Sequence, residues 1–492
     1  MFLSTIFQYS FLYNKNIGGG ILKKYKDILF FTIFFVIGFF IFKFQGMISQ
    51  DCLYNFGFAN QLYNGHIPYK DFNLVITPLF AYIMAPFSPN FSTFILFSSL
   101  FQALMFSIIM RNIRNLVAKL ICAIFICLKL WIFPFIDYNM FMIFFLILSC
   151  LQLLKYQESM SWKNLFGVGL CLSLALCSKQ SLPGVIILIL TPILLIFCIK
   201  KKQIKDFIFY GIGGCLPVAI ICMIAIGNNT FMDMIDYILF GVGSFSELAT
   251  TQSISIAFIL SSILVISVIF VILASYDIKN GLLSLVYILP IFIILILKDD
   301  RTALFAVIYV LSIYFMFPPA ETLKNLKINR MLKNIVFVLL GFVLFIVALR
   351  FSMTGIGYHQ MVENTSYVKT NEYEWINNEK IPDYLLEYIK DIDKYIKENE
   401  DKKILPVSAF TKLYSLSVNK TYGVFELLVD GNMGVKNFEN VPNILEEYDL
   451  LLVANVNMLM QYDGIYKYIE ENYELYEEIP IAGITGYVYQ VK

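Results

Sequence analysis

The sequence predicts an α-helical polytopic membrane protein with a small α/β domain at its carboxyl end, and three observations predict it. Of the 492 residues 59% are hydrophobic and only 15% charged, and the mean hydropathy is +0.71; soluble chains carry about 25% charged residues. Mostly apolar runs near the roughly 20 residues that a helix needs to cross about 30 Å of hydrocarbon recur about eleven times before residue 350. Charge is also split along the chain. Residues 1–350 hold 25 Lys and Arg against 13 Asp and Glu, whereas residues 351–492 hold 12 against 23. The first part reads as a membrane domain and the second as an acidic domain in water. The basic residues lie in short loops between apolar runs, not in one aromatic-rich patch, which argues against nucleic acid as a partner.

The first long apolar run, 28–42, follows Lys23, Lys24 and Lys26 and reads as an uncleaved anchor with a cytoplasmic amino end. The spans then fall near 27–46, 91–110, 116–135, 138–155, 164–178, 181–199, 206–227, 254–274, 281–297, 302–318 and 332–350. Cytoplasmic loops should hold the basic residues. Alternate loops do so, at Arg111 with Arg114 and Lys119, at Lys163, at 200–205, at Lys279 and at 324–333, and an odd number of spans puts the tail outside.

Within 351–492 an irregular stretch is expected to about residue 380. An amphipathic helix should follow over Asp383–Glu398, where Tyr384, Leu385, Tyr388, Ile389, Ile392 and Ile396 recur at helical spacing. Stretches 404–407, 450–456 and 486–491 read as strands, with a helix over 462–472. Cysteine fits this division. None of the nine follows residue 222, so a disulfide-stapled outer domain is excluded, and no paired Cys and His spacing suggests a metal. Gly167, Gly169, Gly211, Gly213 and Gly214 fall within spans and read as close helix packing, since no strand precedes them and no P-loop lysine follows.

The richest polar segment outside the tail is the first outside loop, 47–76. Asp51 follows directly on the first span, Leu53, Phe56 and Asn60 mark a short helix to about Tyr63, Pro68 ends it, and Asp71 returns toward the membrane. A lone Asp there reads as a solvated helix terminus; two acids at a water–bilayer boundary suit a general base and a positioning carboxylate. Lys179 with Gln180 interrupts two spans, and Lys298, Asp299, Asp300 and Arg301 form a charged end before a late one.

Asp51 after the first span, the short helix, then Gly65-x-x-Pro68-Tyr69-x-Asp71-Phe72 and Thr77-Pro78-Leu79 resemble the first outside loop of the GT-C superfamily of polytopic glycosyltransferases, of the protein O-mannosyltransferase and aminoarabinose-transferase types. The Lys179-Gln180 break, the charged run ending at Arg301 and the outer tail are similar as well. The resemblance implies a GT-C-like catalytic domain over 1–350 and transfer of a sugar from a polyprenyl-phosphate carrier, with inversion, to an outward-facing cell-surface glycan, lipid-linked glycan or protein. It implies Asp51 as the base and Asp71 as the residue that orients acceptor or base. Arg301 and Lys179 are the candidates for the leaving phosphate, and Tyr69 and His66 for loop or acceptor positioning. Because Cys52, not a second acid, follows Asp51, a metal-independent reaction is expected and no cofactor.

Lys129, inside a span, reads first as a snorkelling cation and second as a further phosphate contact. Asp137, Asn139, Asp233, Asp236 and Glu247 read as solvated loop, and 429–434 as a tight turn. A transporter or lipid-linked oligosaccharide flippase is the alternative from another class. Its charges should sit at mid-membrane, whereas these gather at one face. A noncatalytic anchor would not need so many spans.

Overall fold

The computed structural model describes residues 20–47, 49–72, 74, 76–113, 116–240, 254–273, 278–295, 300–316, 330–408, 410–427, 441–454 and 463–492. Each of the predicted spans is met by helix. The helices are Gly20–Gln45, Phe91–Asn112, Leu116–Ile132, Tyr138–Ser159, Trp162–Ser178, Ser181–Lys200, Ile204–Gly227, Ile256–Leu273, Ile278–Ile288 with Phe292–Leu295, Asp300–Met316 and Arg330–Asn364. Among the described residues six helices are long and apolar enough to cross a membrane, and Trp162–Ser178 and Ile256–Ile272 are shorter apolar ones. Pro290 divides the ninth run, because a proline cannot donate to the helical ladder.

Local sequence explains where helices start and cross. Asn90 caps the helix Phe91–Asn112 by accepting from the Thr93 N–H at 2.9 Å, and Asp137 caps Tyr138–Ser159 by accepting from Met140 N–H at 2.8 Å. Ile204–Gly227 crosses Trp162–Ser178 at glycines. A Cβ on Gly169 would collide with the Tyr210 carbonyl oxygen, and one on Gly213 with that of Phe166, so these backbones touch because no side chain intervenes. Gly211 has nothing within 4 Å of such an atom and takes no part in the crossing.

Two polar pairs mark one end of the bundle. Arg111 meets Asp27 at 3.5 Å, and Tyr156 donates to Asp206 at 2.9 Å. Tyr156 lies about 27 Å along its helix from the Asp137 end, at 1.5 Å per residue. The Asp137 end is where the first-loop helix, the Lys179 break, the start of Asp300–Met316 and the carboxyl domain are found.

The first-loop helix runs Gln50–Tyr63, with Leu53, Phe56 and Asn60 buried as their spacing predicts. It ends at Tyr63 as expected, several residues before Pro68: Asn64 N–H returns to Asn60 O at 2.9 Å and Gly65 follows at φ +89°, a conformation glycine tolerates.

The last apolar helix does not stop at 350. It continues to Asn364, so the expected domain boundary falls inside it. Its polar extension is still packed: His359 stacks on Phe44 at 5.4 Å and donates to the Trp131 carbonyl at 3.0 Å. Strands β1 (Tyr367–Lys369) and β2 (Lys380–Pro382) then pair antiparallel where an irregular stretch was expected. The amphipathic helix Asp383–Glu398 has its predicted bounds. It packs on a four-stranded sheet of β3 (Ile404–Val407), β4 (Leu450–Val453), β5 (Tyr473–Ile481) and β6 (Ile484–Val491) in the order β3-β4-β6-β5, with only β3 and β4 parallel. Ala482 at φ +46° and Gly483 at φ +77° make the two-residue turn of the β5–β6 hairpin. The 429–434 turn, Lys298, Asp299 and Glu247 lie outside the described residues.

Candidate active site

The site is assembled from helix ends that meet at one level of the bundle. Asp51 stands in the first turn of Gln50–Tyr63. Asp137 is the cap before Tyr138–Ser159, Lys179 follows Trp162–Ser178 in an extended conformation, and Arg301 is in the first turn of Asp300–Met316.

Arg301 contacts the Asp51 carboxylate at 2.6 Å. The same guanidinium nitrogen lies 3.9 Å from Asp137 Oδ2. Asn139 Nδ2 donates to Asp137 Oδ2 at 3.1 Å, and Lys179 Nζ donates to Asn139 Oδ1 at 2.9 Å while lying 5.3 Å from the Tyr138 ring. A continuous polar chain therefore runs Asp51, Arg301, Asp137, Asn139, Lys179. Its members differ in access to water: the Asp51 side chain is 49% exposed, that of Arg301 11% and that of Asp137 1%. Asp51 is the water-facing carboxylate of a site whose cation is held from behind.

Four residues expected to be solvated or snorkelling are buried. Asp137, Asn139 and Asp236 are out of water, the first because its carboxylate caps a helix and faces Arg301. Lys129 is 1% exposed and does not snorkel. Its ammonium donates to Gln102 Oε1 and, at 2.8 Å, to Phe135 O, while Gln102 donates to Pro134 O. Ser98 Oγ accepts from Ile136 N–H at 2.7 Å. Together they fix the turn that delivers Asp137.

The remaining expected site residues go elsewhere. Asp71 Oδ2 accepts from Ile67 N–H at 2.7 Å and closes the turn after His66. Tyr69 is buried in the left-handed region at φ +67°, donates to Ile76 O at 2.7 Å and faces Tyr237 at 5.8 Å. Burial, with smaller contributions from Tyr82, Cys177 and Tyr237, pushes its phenol well above the ordinary tyrosine range, so it keeps its proton. His66 Nε2 lies 3.2 Å from Asn419 Oδ1 in the carboxyl domain. Burial and then the Asp51 charge push the Cys52 thiol well up, which removes it as a nucleophile beside Asp51. Among the described residues no three His, Cys, Asp or Glu side chains group as metal ligands.

No family model matches the sequence, and a comparison with curated proteins found no match. The crystal structure of ArnT from Cupriavidus metallidurans bound to undecaprenyl phosphate resembles this chain with a TM-score of 0.49 and 10% identity, over 94% of this chain and 98% of that one.

Gln102, the partner of Lys129, is what reading the sequence missed. The available signal was a lysine within a predicted span, which needs a partner when it is not at the interface.

Proposed function

We propose that this chain is a membrane glycosyltransferase that moves a sugar from a polyprenyl-phosphate carrier to an acceptor hydroxyl at the outer face, with inversion. The acceptor is a cell-surface glycan, a lipid-linked glycan or a protein. The observation that carries the reading is the Asp51–Arg301 pair, in which a half-exposed carboxylate meets a buried guanidinium that Asp137 also faces.

Two cations, Lys179 and Arg301, stand at the level of Asp51 and Asp137, and Asp51 is the more exposed of the two carboxylates. A phosphate that displaces Asp51 meets both cations. On this reading the carrier phosphate takes the place of Asp51 on Arg301, while Asp137 keeps the guanidinium in position. Asp51, released, accepts the proton of the acceptor hydroxyl as that oxygen bonds to the anomeric carbon. The bond from that carbon to the phosphate oxygen breaks on the opposite face, and its electron pair leaves on the phosphate. Arg301 and Lys179 stabilise the charge that grows there, and they do so more in the transition state than before it. Asp71, bound to Ile67, shapes the loop and orients the acceptor without taking the proton. The amino end lies in the cytoplasm and the carboxyl domain outside the cell membrane.

The test is purified protein in proteoliposomes, given labelled polyprenyl-phosphate sugars and candidate acceptors. A new glycosidic bond of inverted configuration is the expected product. Movement of lipid-linked substrate across the vesicle with no such bond would identify a transporter or flippase instead.

A further inference from the structure

The carboxyl domain meets the first-loop helix through a charged cluster entirely out of water. Lys412, in the helix Thr411–Val418, and Glu426 pair at 2.6 Å with both side chains 0% exposed. Gln61 of the first-loop helix joins both: its Nε2 donates to Glu426 Oε2 at 2.7 Å, and its Oε1 accepts from Lys412 Nζ. Ser415 Oγ lies 2.6 Å from Glu426 Oε1, which also accepts from Tyr422 N–H at 2.9 Å. The Lys412 ammonium lies 5.0 Å from the Phe58 ring and 4.9 Å from that of Phe72, both in the first loop. A Cβ on Gly57 would stand 3.0 Å from Lys412 Cδ, so the lysine stem fills the space that glycine leaves.

Apolar contact is non-directional and tolerates sliding. A buried ion pair contributes little net stability compared with apolar residues of the same size, yet it demands one geometry. A cluster of this kind therefore fixes placement. Asp51 is about ten residues from Gln61 on the same helix, or about 15 Å, so a tilt of about 4° pivoting at Gln61 moves the carboxylate about 1 Å. Misplacement of that size can cost about 10²-fold in rate.

We propose that Lys412, Glu426 and Gln61 are positioning residues through which the carboxyl domain sets where the first-loop helix holds Asp51, a role that rests on the transfer reaction proposed above. The domain is then part of the transfer machinery and not an appendage.

The experiment uses the full chain in proteoliposomes and two variants. Lys412→Met with Glu426→Leu and Gln61→Leu removes the cluster without leaving a lone charge; Gln61→Leu alone keeps the ion pair and cuts the Gln61 hydrogen bonds to Lys412, Ser415 and Glu426. Hydrogen exchange of residues 50–63 and the kcat and KM of transfer are measured for each. The expected result is exchange at least about tenfold faster in that helix, kcat lower by about 10²-fold and donor KM within about threefold of the parent. Unchanged exchange in both folded variants overturns the proposal, as does faster exchange with kcat unchanged. If the parent itself transfers no sugar, the reaction assignment fails, and exchange still decides whether the cluster places the helix.

Discussion

Replacing Asp51 by Asn should separate catalysis from stability. The side chain is half in water, and the pair it forms with Arg301 is one-sided in burial. Exposed ion pairs contribute about 0–1 kcal/mol. Arg301 also keeps Asp137 at 3.9 Å, so the substitution does not strand a buried charge. The expected stability loss is therefore under about 1 kcal/mol. A positioned base is worth about 10²–10⁴ in rate, and at about 1.36 kcal/mol per decade its loss raises the barrier by about 3–5 kcal/mol. On the proposed reaction Asp51 takes the acceptor proton and also competes with the donor phosphate for Arg301, so kcat should carry the loss while donor KM stays level or falls. Transfer of label from a polyprenyl-phosphate sugar, beside thermal unfolding of the same preparation, measures both quantities. A variant within about threefold of the parent rate, or a rate loss matched by an equal loss of folded protein, would refute the role given to Asp51.

Lys129→Met keeps the apolar stem but leaves Gln102 Oε1 and Phe135 O without the ammonium; at about 1–3 kcal/mol per buried unsatisfied group it should destabilise by about 2–5 kcal/mol, and a thermal-unfolding change under about 0.5 kcal/mol would contradict these bonds. Gly169→Ala should destabilise by about 1–3 kcal/mol through collision with the Tyr210 carbonyl. Gly211→Ala, in open space, should be neutral or gain up to about 1 kcal/mol of helix propensity; equal unfolding temperatures for the two would sink the packing argument. Burial is the first cause that pushes the phenols of Tyr367, Tyr373 and Tyr473 up to about 12. The folded domain then holds protons that the unfolded chain gives up near pH 10, so stability is full below about pH 10 and falls as pH rises toward 12. Tyrosinate absorbance at 295 nm should lag behind that of the unfolded chain, and coincident titrations would disprove it.

Where the sequence was legible, one physical period decided the structure. The eleven apolar runs became helices because lipid-facing and core-facing positions both demand apolar side chains, leaving long unbroken signals. The helix Asp383–Glu398 was equally plain, since one face is buried and the other in water. The extension of Arg330–Asn364 was hidden for the opposite reason: Arg350, Thr354, Gly355, Gly357 and His359 lower the hydropathy while the helix continues beside Phe44 and Trp131. Strand β5 was hidden by its glutamates, Glu474, Glu477 and Glu478, which suit an edge strand and mask its alternation.

The site was legible as a set of residues at one face, but not as a pattern of contacts. Loop charge placed Asp51, Asp71, Asp137, Lys179 and Arg301 at the same end, and nothing in sequence separation says which carboxylate a guanidinium 250 positions later will find. What distinguishes the two first-loop acids is what each has already spent. Asp71 has an oxygen committed to Ile67 N–H, a bond that its own loop requires. Asp51 is bound to a side chain that a phosphate can take from it, and half of it faces water. On the proposed reaction the base has to be released when its substrates arrive, and of these two carboxylates Asp51 is the one whose partner a donor phosphate would compete for.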